Sequence, residues 1–365
     1  MKQIKGLDTL RAFAVIFVII EHWGPPFDRQ LPVLSFIYKY LIPNGQFGVD
    51  LFFVLSGFLI TTILLNARTE NKNKNRMFIV KNFIIRRALR IFPIYYLMLF
   101  ILLLLHYPNL RAHIWYYLTY TSNILFYRSG AWGAIPHTWS LAVEEQFYLV
   151  WPWAILFVKE KYLKYVFIVS IIVGITGSYM ITVVLHKGFQ PVLVYNCIGC
   201  FGMGGYYAYA RLNETRQKLF TSRFFPVFLI TLVVYFHWIY IYDQFWGHTN
   251  FMFRMIDGVI ALQMIILAVN NKSEVIRKYL LENRALNYIG RISYSIYLYH
   301  YALQPLIDGY LQELLQRHSG HPIITSFYFS YSIKVIVLML ICTLSYYFIE
   351  LPLLGLKKKF EYRHS

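Results

Sequence analysis

Long apolar segments recur along the whole chain and limit its fold more than any other feature. Ten of them approach the roughly 20 residues that a helix needs to cross a hydrocarbon core. They lie near residues 7–23, 45–65, 91–107, 139–158, 166–185, 191–210, 224–242, 251–269, 288–310 and 323–350. Hydrophobic residues make up 58% of the chain and charged residues 14%, a balance that is rare in water-soluble proteins. We therefore expect an all-α integral membrane protein, a polytopic bundle of about ten transmembrane helices that forms a single domain over residues 1–365.

The basic residues predict how this bundle is oriented. With ten crossings, 26 of the 35 Lys and Arg residues fall at one side of the membrane and 6 at the other. Because Lys and Arg are retained in cytoplasmic loops, both termini are expected to be cytoplasmic, in a multi-pass protein of the inner (plasma) membrane. The aromatic segment HIWYYLTYTSNILFY (113–127) is expected to be interfacial or re-entrant; if it crossed the membrane, the topology after it would invert.

The spacing of charged residues, cysteines and glycines argues against nucleic-acid binding, a metal site and a phosphate-binding loop. The net charge of +18 does not indicate nucleic-acid binding, because the basic residues lie in short gaps between apolar segments and form no single basic surface. Cys197 and Cys200 have no clustered histidine or further cysteine nearby, so packing is expected and no metal site. The glycines of GCFGMGG (199–205) are expected at close helix contacts and not in a phosphate-binding loop.

Charged residues lie near both ends of the first apolar segment, RAFAVIFVIIEH (11–22). Eleven residues separate Arg11 from His22, which places both on one helix face about 16 Å apart, with Asp8 on the same stripe. One alternative is that Arg11 reaches lipid phosphates and that Glu21 and His22 only mark the outer interface.

Other segments carry ionisable residues at depths that match His22. They include Asp50 in the second segment, Glu144 in the fourth, Arg254 and Asp257 in the eighth, and His300 in the ninth. Such groups are costly inside a membrane unless they face a cavity or one another, so we expect a shared polar chamber. Packing contacts or helix-to-helix ion pairs are the alternatives for the carboxylates, and Arg254 and Asp257 are spaced to neutralise each other.

Three arginines lie just before the third segment, in RRALRIFPIYY (86–96). Guanidinium groups bind phosphate oxygens in a bidentate fashion, so Arg86, Arg87 and Arg90 are candidates for holding a phosphorylated substrate at the cytoplasmic side. The alternative is that they anchor the helix by the positive-inside rule.

Five motifs in order resemble the membrane-bound acyltransferase-3 family. They are Arg11-x10-His22, GVDLFFVLSGFL (48–59), RRALRIFPIYY (86–96), WSLAVEEQFYLVWP (139–152) and GRISYSIYLYH (290–300), and the resemblance continues to FIELPL (348–353). The resemblance implies transfer of an acyl group, often acetyl, from a cytoplasmic coenzyme A thioester to a carbohydrate or related acceptor. Since the sequence ends at Ser365, it resembles the stand-alone branch that lacks a soluble hydrolase-like domain.

These expectations together define a candidate mechanism. No tightly bound cofactor is expected. Acyl-CoA would act as a co-substrate and meet a carbohydrate or lipid-linked glycan acceptor in the bilayer-embedded chamber. His22 is the expected base for the acceptor hydroxyl, with Glu144 or Asp50 orienting it. Arg11 would guide the pantetheine arm or the leaving thiolate, and a salt bridge to Asp8 or Glu145 is the alternative. A proton-coupled transporter is the alternative, because buried acids and histidines at one depth also describe a proton relay.

Overall fold

The computed structural model describes residues 6–24, 42–71, 75–180, 184, 192–222, 224–242, 250–317 and 327–362, and this part of the chain contains helices and no strand. The helices are α1 Leu7–Trp23, α2 Gly45–Glu70, α3 Arg76–Leu104, α4 Ile114–Leu118, α5 Ser122–Ser129, α6 Thr138–Phe157, α7 Leu163–Tyr179, α8 Val194–Ala210, α9 Glu214–Ser222, α10 Phe224–Tyr242, α11 Asn250–Asn270, α12 Glu274–Ile276, α13 Arg284–Arg291, α14 Ser293–Arg317, α15 Phe327–Ser345 and α16 Leu351–Leu356. The expected all-α class is confirmed for these residues.

The ten apolar segments each overlap a long helix. Within the described ranges, five helical stretches are long and apolar enough to cross a membrane: Gly45–Glu70, Arg76–Leu104, Glu160–Tyr179, Phe253–Asn270 and Phe329–Phe360. Residues 181–183, 185, 191 and 323–326 of the predicted segments lie outside the described residues. The protein is thus a membrane protein with several apolar helices, whereas the count of ten crossings and the cytoplasmic side of the termini stay predictions.

The outward faces of several helices are apolar, as a lipid environment requires. Leu104 on α3, Val233 on α10 and Phe348 after α15 are 61%, 68% and 75% exposed. Water-soluble proteins rarely expose large apolar side chains in contiguous patches. These faces therefore suit contact with lipid chains.

The segment 113–127 does not form one continuous helix. It contains α4, of five residues, and most of α5, of eight, and Tyr120 between them has a φ of 52°. Both helices are far shorter than the roughly 20 residues that a crossing needs. The structure therefore agrees with the interfacial or re-entrant alternative.

Asparagine side chains set the start of α2 and of α3. The Asn44 side chain accepts a hydrogen bond from the Phe47 amide at the start of α2, and Asn75 accepts one from Met77 at the start of α3. Asn is among the preferred N-cap residues because its oxygen satisfies an amide that has no partner inside the helix. At the other end of α2, Arg68 donates to the carbonyl oxygens of Ile155 and Val158 and so ties α2 to α6.

Close contact between α2 and α8 depends on glycine. A Cβ added at Gly204 would lie 2.0 Å from the Val54 carbonyl oxygen, and one added at Gly57 would lie 2.2 Å from that of Phe201. Each helix thus offers a glycine where the other presents its backbone, as small residues commonly do in membrane interfaces. The expectation that the glycines of 199–205 mediate helix contacts is confirmed.

We predict that Gly204→Ala lowers the free energy of unfolding by about 1–3 kcal/mol, the usual effect of overpacking. The added methyl group has only backbone atoms to displace, so the two helices must separate. Gly309→Ala on α14 is the matched control, since nothing lies within 4 Å of its added Cβ. Thermal unfolding of the detergent-solubilised variants measures both, and equal stability of the two would contradict this packing.

Candidate active site

Three arginines and one glutamate from different helices line a single narrow cavity. Arg11 of α1, Arg87 and Arg90 of α3 and Glu144 of α6 all face it. The remaining wall consists of α2 residues around Ser56, of α14 residues, and of further residues of α3 and α6. The structure thus brings together four of the residues that the sequence singled out, at the end of α1 that holds Arg11.

Two of these arginines are held by neighbouring side chains. Nη1 of Arg11 lies 2.7 Å from Oδ1 of Asp8, one turn earlier on the same helix. The guanidinium of Arg87 lies 5.5 Å from the ring centre of Phe83 and 5.3 Å from that of Tyr148, within the range of cation–π attraction. Their positive charges therefore have fixed places in the wall of the cavity.

Arg86 points elsewhere and does not line the arginine cavity. Its Nη1 donates to the carbonyl oxygens of Lys357 and Phe360, and its guanidinium lies 5.3 Å from the ring centre of Tyr362. Adjacent helical residues project about 100° apart, which turns Arg86 away from Arg87, and its hydrogen bonds to the C-terminal segment direct it away from Arg90 as well. Arg86 therefore anchors the C-terminal segment, and its predicted role in holding phosphate is not supported by this position.

Glu144 has hydroxyl partners inside the arginine cavity. Its Oε1 accepts hydrogen bonds from Ser56 on α2 and from Tyr148 one turn further along α6. The neighbouring Glu145 is buried on another face of the helix. Glu144 thus has a place at the arginine end of the site, and the structure gives it no hydrogen bond to His22 among the described residues.

His22 lies at the other end of α1 and has a defined tautomer. Its Nδ1 lies 2.9 Å from the carbonyl oxygen of Val18. Because a carbonyl oxygen only accepts, Nδ1 carries the proton in the neutral ring and Nε2 keeps a lone pair. The His22 side chain is exposed. His22 is thus suited to accept a proton at Nε2 from a bound substrate.

Two further histidines surround His22. His300 Nδ1 lies 2.7 Å from the Tyr297 carbonyl oxygen, which leaves Nε2 of His300 as an acceptor 3.2 Å from Nδ1 of His22. His137 Nε2 lies 3.0 Å from the Leu298 carbonyl oxygen, and its ring centre is 5.1 Å from that of His300. These rings form the histidine cluster: His22, His137 and His300.

Tyr297 and Ser140 lie between the arginine cavity and the histidine cluster. Both line the cavity, and their hydroxyls are 2.5 Å apart. The Tyr297 hydroxyl also donates to the carbonyl oxygen of His137, and its ring centre is 5.6 Å from that of His300. The two parts of the site thus share one wall made by α6 and α14.

Asp50 belongs to neither part of the site. Its Oδ1 lies 3.0 Å from Nε of Arg254 on α11, and its Oδ2 accepts from Gln46. Nη1 of Arg254 also donates to Sγ of Cys197. Arg254 therefore pairs with Asp50 across helices, whereas its spacing suggested a pair with Asp257 on its own helix. Asp50 is not placed to orient His22.

The sequence interpretation missed several residues that the structure places in the site, among them His137, Ser56 and Tyr148. His137 precedes the WSLAVEEQF motif by two residues, at the start of a helix that already carried a candidate site residue. That position is the sequence signal that could have identified it. Ser56 and Tyr148 lie inside two motifs but were not distinguished from packing residues. Tyr148 follows Glu144 by four residues, a spacing that could have paired them.

Comparisons with known proteins agree with these motifs. A family model described as an acyltransferase domain matches residues 4–348. The chain is 31% identical to YrhL of Bacillus subtilis (strain 168), covering 96% of this chain and 55% of that protein. It is 28% identical to the peptidoglycan O-acetyltransferase OatA of Listeria monocytogenes and 26% identical to the O-acetyltransferase OatA of Staphylococcus aureus.

Those two matches also cover 96% of this chain, and 56% and 57% of the respective relatives. The chain thus spans little more than half the length of the curated relatives that it matches. No solved structure matches it. Because the family model covers nearly the whole sequence, from the first apolar segment into the last, the chain belongs to the family of membrane acyltransferase domains, as its five ordered motifs indicated.

Proposed function

We propose that this chain is an O-acetyltransferase of the bacterial inner membrane that moves an acetyl group from acetyl-CoA to a hydroxyl of a peptidoglycan sugar. The names of its relatives support the acetyl group and the acceptor class. The observation that carries the proposal is the arrangement along α1, with an arginine-lined cavity at one end and, at the other, a histidine whose Nε2 keeps a lone pair.

The arginine cavity is the proposed site for the coenzyme A end of the donor. Coenzyme A carries several phosphate groups, and arginine forks bind phosphate oxygens through paired, charge-assisted hydrogen bonds. Arg11, Arg87 and Arg90 supply three such forks around one space. The pantetheine arm is long and flexible, and it would carry the thioester from there toward His22.

His22 is the proposed general base. Nε2 takes the proton of the acceptor hydroxyl as its oxygen attacks the thioester carbonyl carbon, the carbon–sulfur bond breaks, and the proton then passes to the departing thiolate. The Nδ1–H bond to Val18 and the contact with His300 hold the ring in the required tautomer. In this proposal His300 takes the orienting place that the sequence gave to Glu144 or Asp50.

The proposed role of Glu144 is to position residues that bind the donor. Its carboxylate holds the hydroxyls of Ser56 and Tyr148 at the cavity wall, and Tyr148 in turn stacks on Arg87. Glu144 thereby positions one of the phosphate-binding arginines. It is a positioning residue and not a partner of the base.

We predict that Arg87→Ala raises the KM for acetyl-CoA about 10- to 150-fold, since a hydrogen bond to a charged group contributes roughly 1.5–3 kcal/mol. Lys81→Ala is the matched control: it removes one positive charge from an exposed position on the same helix. Initial rates at varied acetyl-CoA measure both variants. A KM for Arg87→Ala equal to that of Lys81→Ala would argue against phosphate binding in this cavity.

Transfer itself is tested with detergent-purified protein, radiolabelled acetyl-CoA and a peptidoglycan fraction. The proposal expects alkali-labile label in the glycan and release of one CoA thiol for each acetyl group transferred. The transporter alternative, which the family membership does not favour, would instead give proton-coupled solute uptake in vesicles and no thiol release.

A further inference from the structure

A second cavity, here called the outer cleft, opens beside the histidine cluster. It is bounded by residues 107–113 after α3, residues 125–134 and the α14 residues 301–308. It shares no lining residue with the arginine cavity. The outer cleft is therefore a separate space at the end of α1 that holds His22.

Tyr301 connects the outer cleft to the histidines. Its ring lines the cleft, and the ring centre lies 5.6 Å from that of His22 and 5.6 Å from that of His137. The contact with His22 is edge to face. A molecule that packs on Tyr301 in the cleft would thus lie one ring away from the proposed base.

The lining combines aromatic faces with hydrogen-bonding groups. Tyr107, Trp132 and Tyr301 supply the aromatic faces, and Asn109 and Gln304 supply amides. Trp132 is 54% exposed although it packs edge to face on Phe126, with ring centres 5.7 Å apart. Large exposed aromatics beside a few placed polar groups are typical of sites for amphipathic ligands, and a sugar ring has both an apolar face and a rim of hydroxyls.

The cleft has few basic groups. Its described lining contains one histidine, His113, and no Lys or Arg, in contrast to the arginine cavity. Its carboxylate, Asp308, is held by Lys334 at 2.8 Å and is partly exposed, so it can accept hydrogen bonds from hydroxyl or amide groups. The cleft therefore suits an uncharged sugar chain better than an anionic ligand.

We propose that the outer cleft binds the acceptor, with a chain of uncharged amino-sugar units packed across Trp132 and Tyr301 and one hydroxyl presented to His22. This inference rests on the proposed function, because it names where the acceptor of that reaction lies. Trp132 contacts the sugar and determines acceptor affinity, whereas the donor is held at the other end of α1.

The test measures acetyl transfer to chitotetraose, a soluble chain of N-acetylglucosamine units, at saturating acetyl-CoA. Trp132→Ala is expected to raise the KM for chitotetraose about tenfold, as loss of roughly 1.4 kcal/mol of contact would. The KM for acetyl-CoA, measured in a second series with varied acetyl-CoA, is expected to be unchanged. Gln304→Ala is expected to shift the same parameter in the same direction, which covers the case in which Trp132→Ala fails to fold. Trp115→Ala is the control, because Trp115 is 75% exposed on the neighbouring α4 but does not line the cleft.

Saturation-transfer NMR of chitotetraose with the wild type, Trp132→Ala and Trp115→Ala separates this inference from the proposed function. Binding lost only in Trp132→Ala supports the outer cleft even if no acetyl group is transferred, in which case the proposed function fails alone. Equal binding and equal acceptor KM in Trp132→Ala, Gln304→Ala and wild type would overturn the assignment of the cleft.

Discussion

His22→Gln is expected to lower acetyl transfer about 10²- to 10⁴-fold, the usual contribution of a general base. Glutamine retains a side chain of similar reach but has no group that takes a proton near neutral pH. The Nδ1 contact with Val18 leaves Nε2 as the basic atom, and the His22 side chain is exposed to an incoming substrate. Initial rates of thiol release and of acetyl ester formation measure the effect, and both should fall together.

His237→Gln provides the control for this prediction. His237 is exposed on α10, so its substitution makes the same chemical change at a site away from the histidine cluster. Thermal unfolding of both variants must match the wild type, so that the rate loss reports chemistry and not folding. Activity of His22→Gln within threefold of the His237→Gln rate would exclude His22 as the base.

Arg254→Met is expected to lower the free energy of unfolding by about 3–5 kcal/mol, the cost of leaving buried charge without its partner. Arg254 is 5% exposed and pairs with Asp50, which is completely buried, and Asp257 lies one turn along α11 and is 3% exposed. Removing the Arg254 cation leaves the carboxyl groups of Asp50 and Asp257 buried without it. Asp50→Asn should be milder, because Asp257 stays close to Arg254.

Arg277→Met is the matched control for the buried pair. Arg277 forms an exposed ion pair with Glu274, with an N–O distance of 3.5 Å, and exposed pairs contribute about 0–1 kcal/mol. Chemical or thermal unfolding in detergent compares the three variants. If Arg254→Met were no less stable than Arg277→Met, the Asp50–Arg254 pair would not stabilise the bundle.

The depth and the helix face of a residue follow from its position along one helix, and the sequence predicts both for Arg11 and His22. The eleven-residue spacing placed Arg11 and His22 on one face and at two depths, and the structure puts one in the arginine cavity and the other in the histidine cluster. The helical repeat also turns Arg86 about 100° away from Arg87, although the sequence interpretation treated the three arginines alike. Spacing does not separate Arg86 from Arg90, which lies four residues further along the same face, so only the structure shows that Arg90 lines the cavity and Arg86 does not. For Arg11 and His22, depth and helix face could be predicted from residue spacing alone.

Partners across helices could not be predicted in the same way. Spacing suggested that Arg254 neutralises Asp257 on its own helix, but α2 packs against α11 and brings Asp50 to Arg254. Which helices become neighbours depends on side-chain packing and on contacts such as Gly204 against Val54. His137 and His300 meet His22 for the same reason, because α6 and α14 pack at that end of α1.

Binding of acetyl-CoA without acceptor, measured by equilibrium dialysis, tests most directly the claim that α1 joins a donor site to a separate base. His22→Gln should bind acetyl-CoA as tightly as wild type, whereas the double variant Arg87→Ala/Arg90→Ala should lose most of the binding. Loss of binding in His22→Gln, or wild-type binding in the double variant, would contradict the separation of donor site and base.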